Sequence, residues 1–377
     1  MRLVAVPARA ELLLPALAAA LDGTGPAVLP LPPQPDRVLA ALRPDELLED
    51  DDTALVVPTS GSTGEPKGVL LPAGALRASA GATAARLGGS GQWLLAIPPT
   101  HVGGVQVLVR SLLAGTDPVL LPPGRFGAAG FVAATVRMSA ARRYVSLVPT
   151  QLRRLVDDPT AHDALASYDA VLLGGAAAPV DLLASARAAG ARVVTTYGMS
   201  ETSGGCVYDG RPLDGVEVTL VDELVRLRGP VVARGYRLRP DLTAQSFADG
   251  GFVTSDLGRL LPDGSLRVLG RADDVIVSGG EKVVPAAVEQ VLQQHPSVVE
   301  AAVMGVPDEQ WGQRVVALVV LRAPLPLAVA REHVAGALLR SWAPRELREV
   351  PSLPLLTTGK IDRAQLRWEA GHAEKGT

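Results

Sequence analysis

The chain has 377 residues and a formal net charge of −3, from 36 basic and 39 acidic side chains. That length suits two or three domains with a large core, and without a basic run it argues against a nucleic-acid partner. The single cysteine, Cys206, excludes a disulfide framework and a cysteine-based zinc site and fits a reducing cytoplasm. No apolar stretch reaches the length of a transmembrane helix.

From the N-terminus, Leu3–Val6 reads as a strand and Leu12–Leu21 as an apolar helical stretch preceded by Arg9 and Glu11 and interrupted by Pro15. The pair is read as the first β-α unit and not as a signal peptide. A Pro-rich loop, 30–35, and an acidic stretch ending at Asp52 follow. Apolar strand-like runs then alternate with helical patterns: 54–57, 93–97, 119–121, 144–148, 170–173 and 192–196, with helices expected over 105–113, 150–156 and 180–189. This alternation predicts a mostly parallel, helix-covered sheet. Such sheets bind ligands at the carboxyl ends of their strands.

After about residue 205 the texture becomes short strands (216–221, 223–227, 266–269) and Asp-Gly turns, which predicts a small antiparallel subdomain over 206–270. A second boundary falls at 271/272. Beyond it Pro285 opens an amphipathic helix, strands follow at 299–305 and 314–321, and a helix is expected from 327 to 339. The expected fold is α/β: a large N-terminal domain (1–271) of helix-covered sheets with its β-rich subdomain, then a small mobile α+β domain (272–377).

The segment 59–69 packs three glycines, four hydroxyls and Lys67 into eleven residues after a buried run. Thr59, Ser60, Gly61, Ser62 and Thr63 would offer N–H and hydroxyl donors, and Lys67 a cation, to a polyphosphate. No Walker A pattern aligns to it. Taken alone, the stretch reads first as a Ser/Gly-rich surface turn. Lysine, however, occurs only four times among many arginines, at 67, 282, 360 and 375, which favours a specific need for the ammonium at 67, 282 and 360, Lys375 being incidental in the polar tail.

Tyr197-Gly198-Met199-Ser200-Glu201-Thr202 follows a β-branched strand. A tyrosine at a strand end can stack on a base, glycine permits close backbone approach, and a carboxylate among hydroxyls suits a nucleotide-borne Mg²⁺. Alternatively it is a helix N-terminus capped by Ser200. Asp256, read as sitting in a tight turn, could accept a ribose diol or merely satisfy its own backbone. Arg271 and Asp273 form either a ligand-binding hinge or a surface ion pair. Lys360, in Thr358-Gly-Lys360, is either a swinging cation or solvated. His101, in a Pro-rich strand-to-helix junction, either walls a pocket or is satisfied locally. No metal-ligand spacing, serine-hydrolase elbow or dinucleotide fingerprint is found.

Taken in order, these segments resemble the adenylate-forming superfamily of acyl-CoA synthetases, luciferases and adenylation domains, from about residue 50 to the end. The narrower resemblance is to the o-succinylbenzoate–CoA ligases of menaquinone biosynthesis, of the short actinobacterial type, on 200–210, 213–215 and the Pro-x-x-His-x-x-Gly arrangement at His101. Relatives usually carry a longer segment before the phosphate loop.

The resemblance implies a two-step, ATP-dependent acid–CoA ligase using Mg²⁺ and coenzyme A. Thr59, Ser60, Gly61, Ser62, Thr63 and Lys67 fall to the β/γ-phosphates, Glu201 to Mg²⁺ and Thr202 to the α-phosphate. Asp256 and Arg271 fall to the ribose, and Tyr197, Gly198 and Met199 to the nucleotide, with the ring of Tyr197 against adenine. Gly174, Gly175 and Ala176 line the adenine and acyl pocket. Lys360 matches the catalytic lysine, Asp273 the hinge, and Gly279 and Gly280 the CoA channel. His101 and Ser203 are candidates for the second carboxylate of o-succinylbenzoate. Lys282 departs from the family pattern, where asparagine is frequent. A homodimer is compatible with this reading, and no sequence signal specifies it. The rivals are another aryl- or fatty-acyl-CoA ligase and a catalytically silent nucleotide-binding homologue; the presence of Lys360 and Glu201 speaks against the latter.

Overall fold

The apolar run at 54–57 is fully buried because it forms the middle of a strand, Thr53–Ser60, at the centre of a five-stranded sheet. The computed structural model describes residues 1–60, 65–354, 361–363 and 365–366. In this first sheet Leu3–Pro7, Ala27–Leu31 and Thr53–Ser60 run parallel, and Pro66–Pro72 and Gly235–Tyr236 complete it antiparallel. The candidate phosphate loop therefore joins an antiparallel hairpin, with Thr59 opposite Lys67 and Ser60 opposite Pro66. Pro66 is tolerated because it is the first residue of its strand.

Of the N-terminal expectations one holds and one is revised. The helix of the first β-α unit is present over Ala10–Leu21 and runs through Pro15. A mid-helix proline costs about 3 kcal/mol, and complete burial of Leu13 and Leu17 in the core beneath the first sheet offsets it. Pro30 lies not in a loop but in the strand Ala27–Leu31. Its neighbour on the other side, Thr53–Ser60, pairs with this strand only at Val28–Leu55, so the missing N–H goes unneeded. A short helix, Asp36–Leu42, follows.

The second sheet has seven strands. Val193–Met199, Ala170–Leu173, Arg143–Leu147, Gln92–Leu95 and Val119–Leu120 are parallel neighbours in that order. Gly204–Tyr208 and Arg211–Pro212 add an antiparallel edge. The helices Ala128–Val136, Pro149–Val156 and Val180–Ala188 lie against it, burying Phe131, Leu152, Leu155 and Leu182 with Val145 and Val171. Burial on both faces is why these strands read as continuous apolar runs.

A third, wholly antiparallel sheet comprises Glu217–Val221, Leu224–Arg228, Gly251–Leu260, Phe247–Ala248 and Leu266–Arg271. Asp256 is here inside the long strand Gly251–Leu260 and not in a tight turn. The pairing register shifts at Leu257/Gly258, a bulge that breaks the strict alternation by which a strand is recognised. The fourth sheet joins Glu281–Val283, Ile276–Ser278, Gly312–Leu321, Val298–Asp308 and Glu346–Glu349. With the helices Pro285–Leu292 and Leu327–Ala335 it encloses a core of its own, including Val288, Leu292, Val303 and Val319. The α/β class with helix-covered sheets, a β-rich part and a terminal α+β part is thus the architecture observed.

Candidate active site

The strand Val193–Met199 carries its β-branched residues into the second sheet and delivers Tyr197, Gly198 and Met199 at its carboxyl end. A 3₁₀ turn, Ser200–Thr202, then reverses the chain into Gly204–Tyr208, so Tyr197 and Gly198 belong to the strand and precede no α-helix. Gly198 is required sterically: a Cβ there would lie 2.1 Å from the carbonyl oxygen of Gly204. Thr202 fixes the turn, accepting from the Met199 N–H at 3.0 Å and donating to the Gly204 carbonyl at 2.8 Å.

Two clusters meet around this strand end. In the first, the Tyr197 hydroxyl donates to Asp256 Oδ2 at 2.7 Å, and Arg271 stands 3.6 Å from Asp256 Oδ1. Asp256 and Arg271 are register partners on adjacent strands, so the sheet itself sets their spacing. Arg271 also pairs with Asp273 at 2.8 Å, which ties the candidate hinge to the candidate ribose site. Burial, and then the Asp256 carboxylate, raise the Tyr197 phenol well above its ordinary range, so it stays a donor.

In the second cluster, Tyr236 donates to Glu201 Oε1 at 2.7 Å, and the Lys67 ammonium lies 5.0 Å from the centre of the Tyr236 ring. Tyr236 is register partner to Val69, two residues beyond Lys67, so the first sheet brings lysine and tyrosine together. Burial, and then Glu201, raise the Tyr236 phenol far above its ordinary range. Glu201 is 9% exposed, and among the described residues only its Oε1 is hydrogen-bonded by a side chain. One carboxylate with a spare oxygen beside a lysine fits a Mg²⁺ that arrives on polyphosphate oxygens. Among the described residues there is no cluster of three or more His, Cys, Asp or Glu, so a protein-caged metal is not indicated there.

The remaining candidates divide. Thr59 bonds the Lys67 carbonyl at 3.4 Å, and Ser60 closes the strand, whereas Gly61, Ser62 and Thr63 lie outside the described residues, as does Lys360. Gly174 follows the strand Ala170–Leu173, and a Cβ there would meet Thr196 Oγ1 at 2.4 Å. Gly175 takes φ +83°, and Ala176 is exposed beside it. His101 is the N-cap of the helix Val102–Ala114.

Ser203 is placed differently from expectation. It is fully buried in a left-handed conformation, and its hydroxyl is spent on the Val231 carbonyl at 2.8 Å, which makes it a brace behind the site. Gly279 and Gly280, at φ +59° and +84°, form the two-residue turn of the hairpin Ile276–Ser278/Glu281–Val283. Lys282 is exposed on that hairpin.

Tyr236 and its neighbour Arg237 were not anticipated. Arg237 is 1% exposed and donates to the carbonyls of Leu42, Arg43, Glu46 and Leu47 and to Glu49, while its own N–H bonds Gly68. It thereby ties the 42–49 segment to the strand that bears Lys67. A sequence signal existed for Tyr236, since tyrosine occurs only five times.

A lysine and two hydroxyl–carboxylate pairs thus gather around the end of one strand. The chain belongs to the AMP-binding enzyme family, whose model matches residues 7–237, with the AMP-binding enzyme C-terminal domain matching 287–360. It is 49% identical, over the whole of both chains, to a probable 2-succinylbenzoate–CoA ligase of Mycobacterium tuberculosis. It also resembles the o-succinylbenzoate CoA synthetase of Bacillus subtilis solved with ATP and magnesium, at 32% identity and TM-score 0.74, over 85% of this chain and 70% of that one. For the same enzyme with the acyl-adenylate OSB-AMP, the values are 29% and 0.75, over 94% and 81%.

Proposed function

We propose that this protein is an ATP-dependent o-succinylbenzoate–CoA ligase with Mg²⁺ as cofactor and coenzyme A as second substrate. The observation that carries the reading is full-length similarity to a probable ligase of that kind, joined to the paired Tyr197–Asp256 and Tyr236–Glu201 contacts at one strand end. In this reading residues 1–271 bind ATP and the acid, 206–270 being the β-rich part, and 272–377 act as a lid.

In the first half-reaction the acyl carboxylate attacks the α-phosphorus of ATP; the new O–P bond forms and pyrophosphate leaves. Asp256 accepts the ribose hydroxyls, held by Tyr197 and Arg271, and the Tyr197 ring flanks adenine beside Gly174, Gly175 and Ala176. Lys67 and the 59–63 loop hold the β/γ-phosphates, and Thr202 faces the α-phosphate. Glu201, aimed by Tyr236, would hold Mg²⁺, which neutralises phosphate charge when bound. Lys360 bridges the carboxylate and α-phosphate; positioning and charge stabilisation supply most of the catalysis. In the second half-reaction the lid turns about Asp273, the CoA thiol approaches along Gly279 and Gly280, its sulfur bonds the acyl carbon, and AMP leaves. His101 walls the acyl pocket. Among the described residues no helix is long and apolar enough to cross a membrane, and the buried, unpaired Cys206 suits a reducing cytoplasm.

The role of Lys360 is tested with Lys360→Ala. Pyrophosphate exchange should fall by about 10²–10³-fold, the range for loss of one preorganised charge donor, with ATP binding nearly unchanged. Undiminished exchange would overturn the assignment.

A further inference from the structure

On the helix Val102–Ala114, nine residues past His101 and so about 13 Å along its axis, lies Arg110. It is 7% exposed. One guanidinium nitrogen donates to Thr83 Oγ1 at 3.2 Å, and Thr83 in turn shares a 3.0 Å bond with the Tyr208 hydroxyl. Its Nε is buried without a partner, and the guanidinium sits 4.7 Å from the Trp93 ring centre. Among the described residues no carboxylate pairs with it. Burial presses its pKa down, yet a guanidinium does not deprotonate in proteins. A full charge is thus answered only by neutral hydroxyls and a ring face, an arrangement whose desolvation costs several kcal/mol.

Beside Arg110 is a cavity of about 200 Å³. Ala80, Ala84 and Leu113 give it aliphatic walls, and Trp93 and Tyr144, whose ring centres are 5.0 Å apart, give it an aromatic one. Arg77 also lines it but is already paired with Asp22 at 2.7 Å. The one uncompensated cation, buried beside an apolar-walled space, selects a small anion with an apolar body over a fully hydrated one.

We propose that this cavity binds a small organic carboxylate, its carboxyl on Arg110 and its apolar body against Trp93, Tyr144 and Leu113, at a site separate from the acyl cleft. The probes are benzoate and inorganic phosphate, titrated by calorimetry into the full chain and into Arg110→Met and Gly81→Leu. Gly81 lines the cavity, and a Cβ there meets nothing within 4 Å, so leucine at this position adds bulk to the cavity wall while Arg110 itself is kept. Crystals with 4-bromobenzoate locate the site by anomalous scattering and separate it from the cleft at His101. The expected result is bromine beside Trp93 and benzoate affinity at least tenfold weaker in both variants, with no phosphate binding. Bromine confined to the acyl cleft, equal benzoate affinity in the variants, or phosphate bound as well as benzoate would overturn the proposal.

Discussion

Replacing Tyr236 with phenylalanine removes one oxygen and leaves the rest of the site standing. The ring that faces Lys67 at 5.0 Å is kept. What disappears is the 2.7 Å hydroxyl donor to Glu201, a residue 9% exposed. Because burial and the adjacent carboxylate raise the phenol far above its ordinary pKa, that donor is present throughout the neutral range and still at pH 10. The sign follows: the raised pKa contributes stability below the unfolded value near 10, and this is lost as pH climbs through the folded value. A hydrogen bond to a charged group contributes about 1.5–3 kcal/mol, and about 1.4 kcal/mol is tenfold in an equilibrium. If Glu201 holds Mg²⁺ only in the orientation set by Tyr236, the Mg²⁺ concentration giving half-maximal adenylation should rise about 10- to 100-fold. Pyrophosphate exchange at varied Mg²⁺ measures this, with ATP held in excess. A Tyr236→Phe enzyme with an unchanged Mg²⁺ dependence would refute the coupling of the two residues.

Asp256→Asn keeps the shape but removes the charge facing Arg271 at 3.6 Å and alters the acceptor for Tyr197; KM for ATP should rise about tenfold, by roughly 1.4 kcal/mol, with kcat less affected in initial-rate assays. Arg237→Met removes five hydrogen bonds, to four carbonyls of the 42–49 segment and to the Glu49 carboxylate. Each such bond contributes about 0.5–1.5 kcal/mol net, so urea unfolding should register a lower midpoint. Asp273→Pro should impair thioester formation more than adenylation, read by following AMP-ester and CoA-ester products separately; equal losses would remove Asp273 as the hinge.

The parallel strands of the second sheet were legible because both their faces are buried, leaving unbroken apolar runs such as 170–173. Pro285 and the 288–292 face announced their helix for the complementary reason, a polar side and an apolar side. Asp256 was found as a residue but misplaced in a turn, because the bulge at Gly258 interrupts the two-residue period. Pro30 misled because a tertiary setting decides whether a missing N–H matters, and composition does not contain that setting. The candidate residues 197–202 were legible as one contiguous motif. Tyr236 and Arg237 were not, since their partners, Glu201 and the 42–49 carbonyls, are distant in sequence and are reached only when the sheet forms. Ser203 lay next to the motif and so drew a binding role, yet its left-handed backbone turns the hydroxyl inward to Val231.

The most direct test of the central claim is to incubate the protein with ATP, Mg²⁺, CoA and a panel of carboxylic acids and to identify products by mass spectrometry. The account predicts AMP and a CoA thioester with o-succinylbenzoate in preference to other aryl and fatty acids. A thioester formed only with other acids would contradict the substrate, and no adenylate with any acid would contradict the chemistry itself.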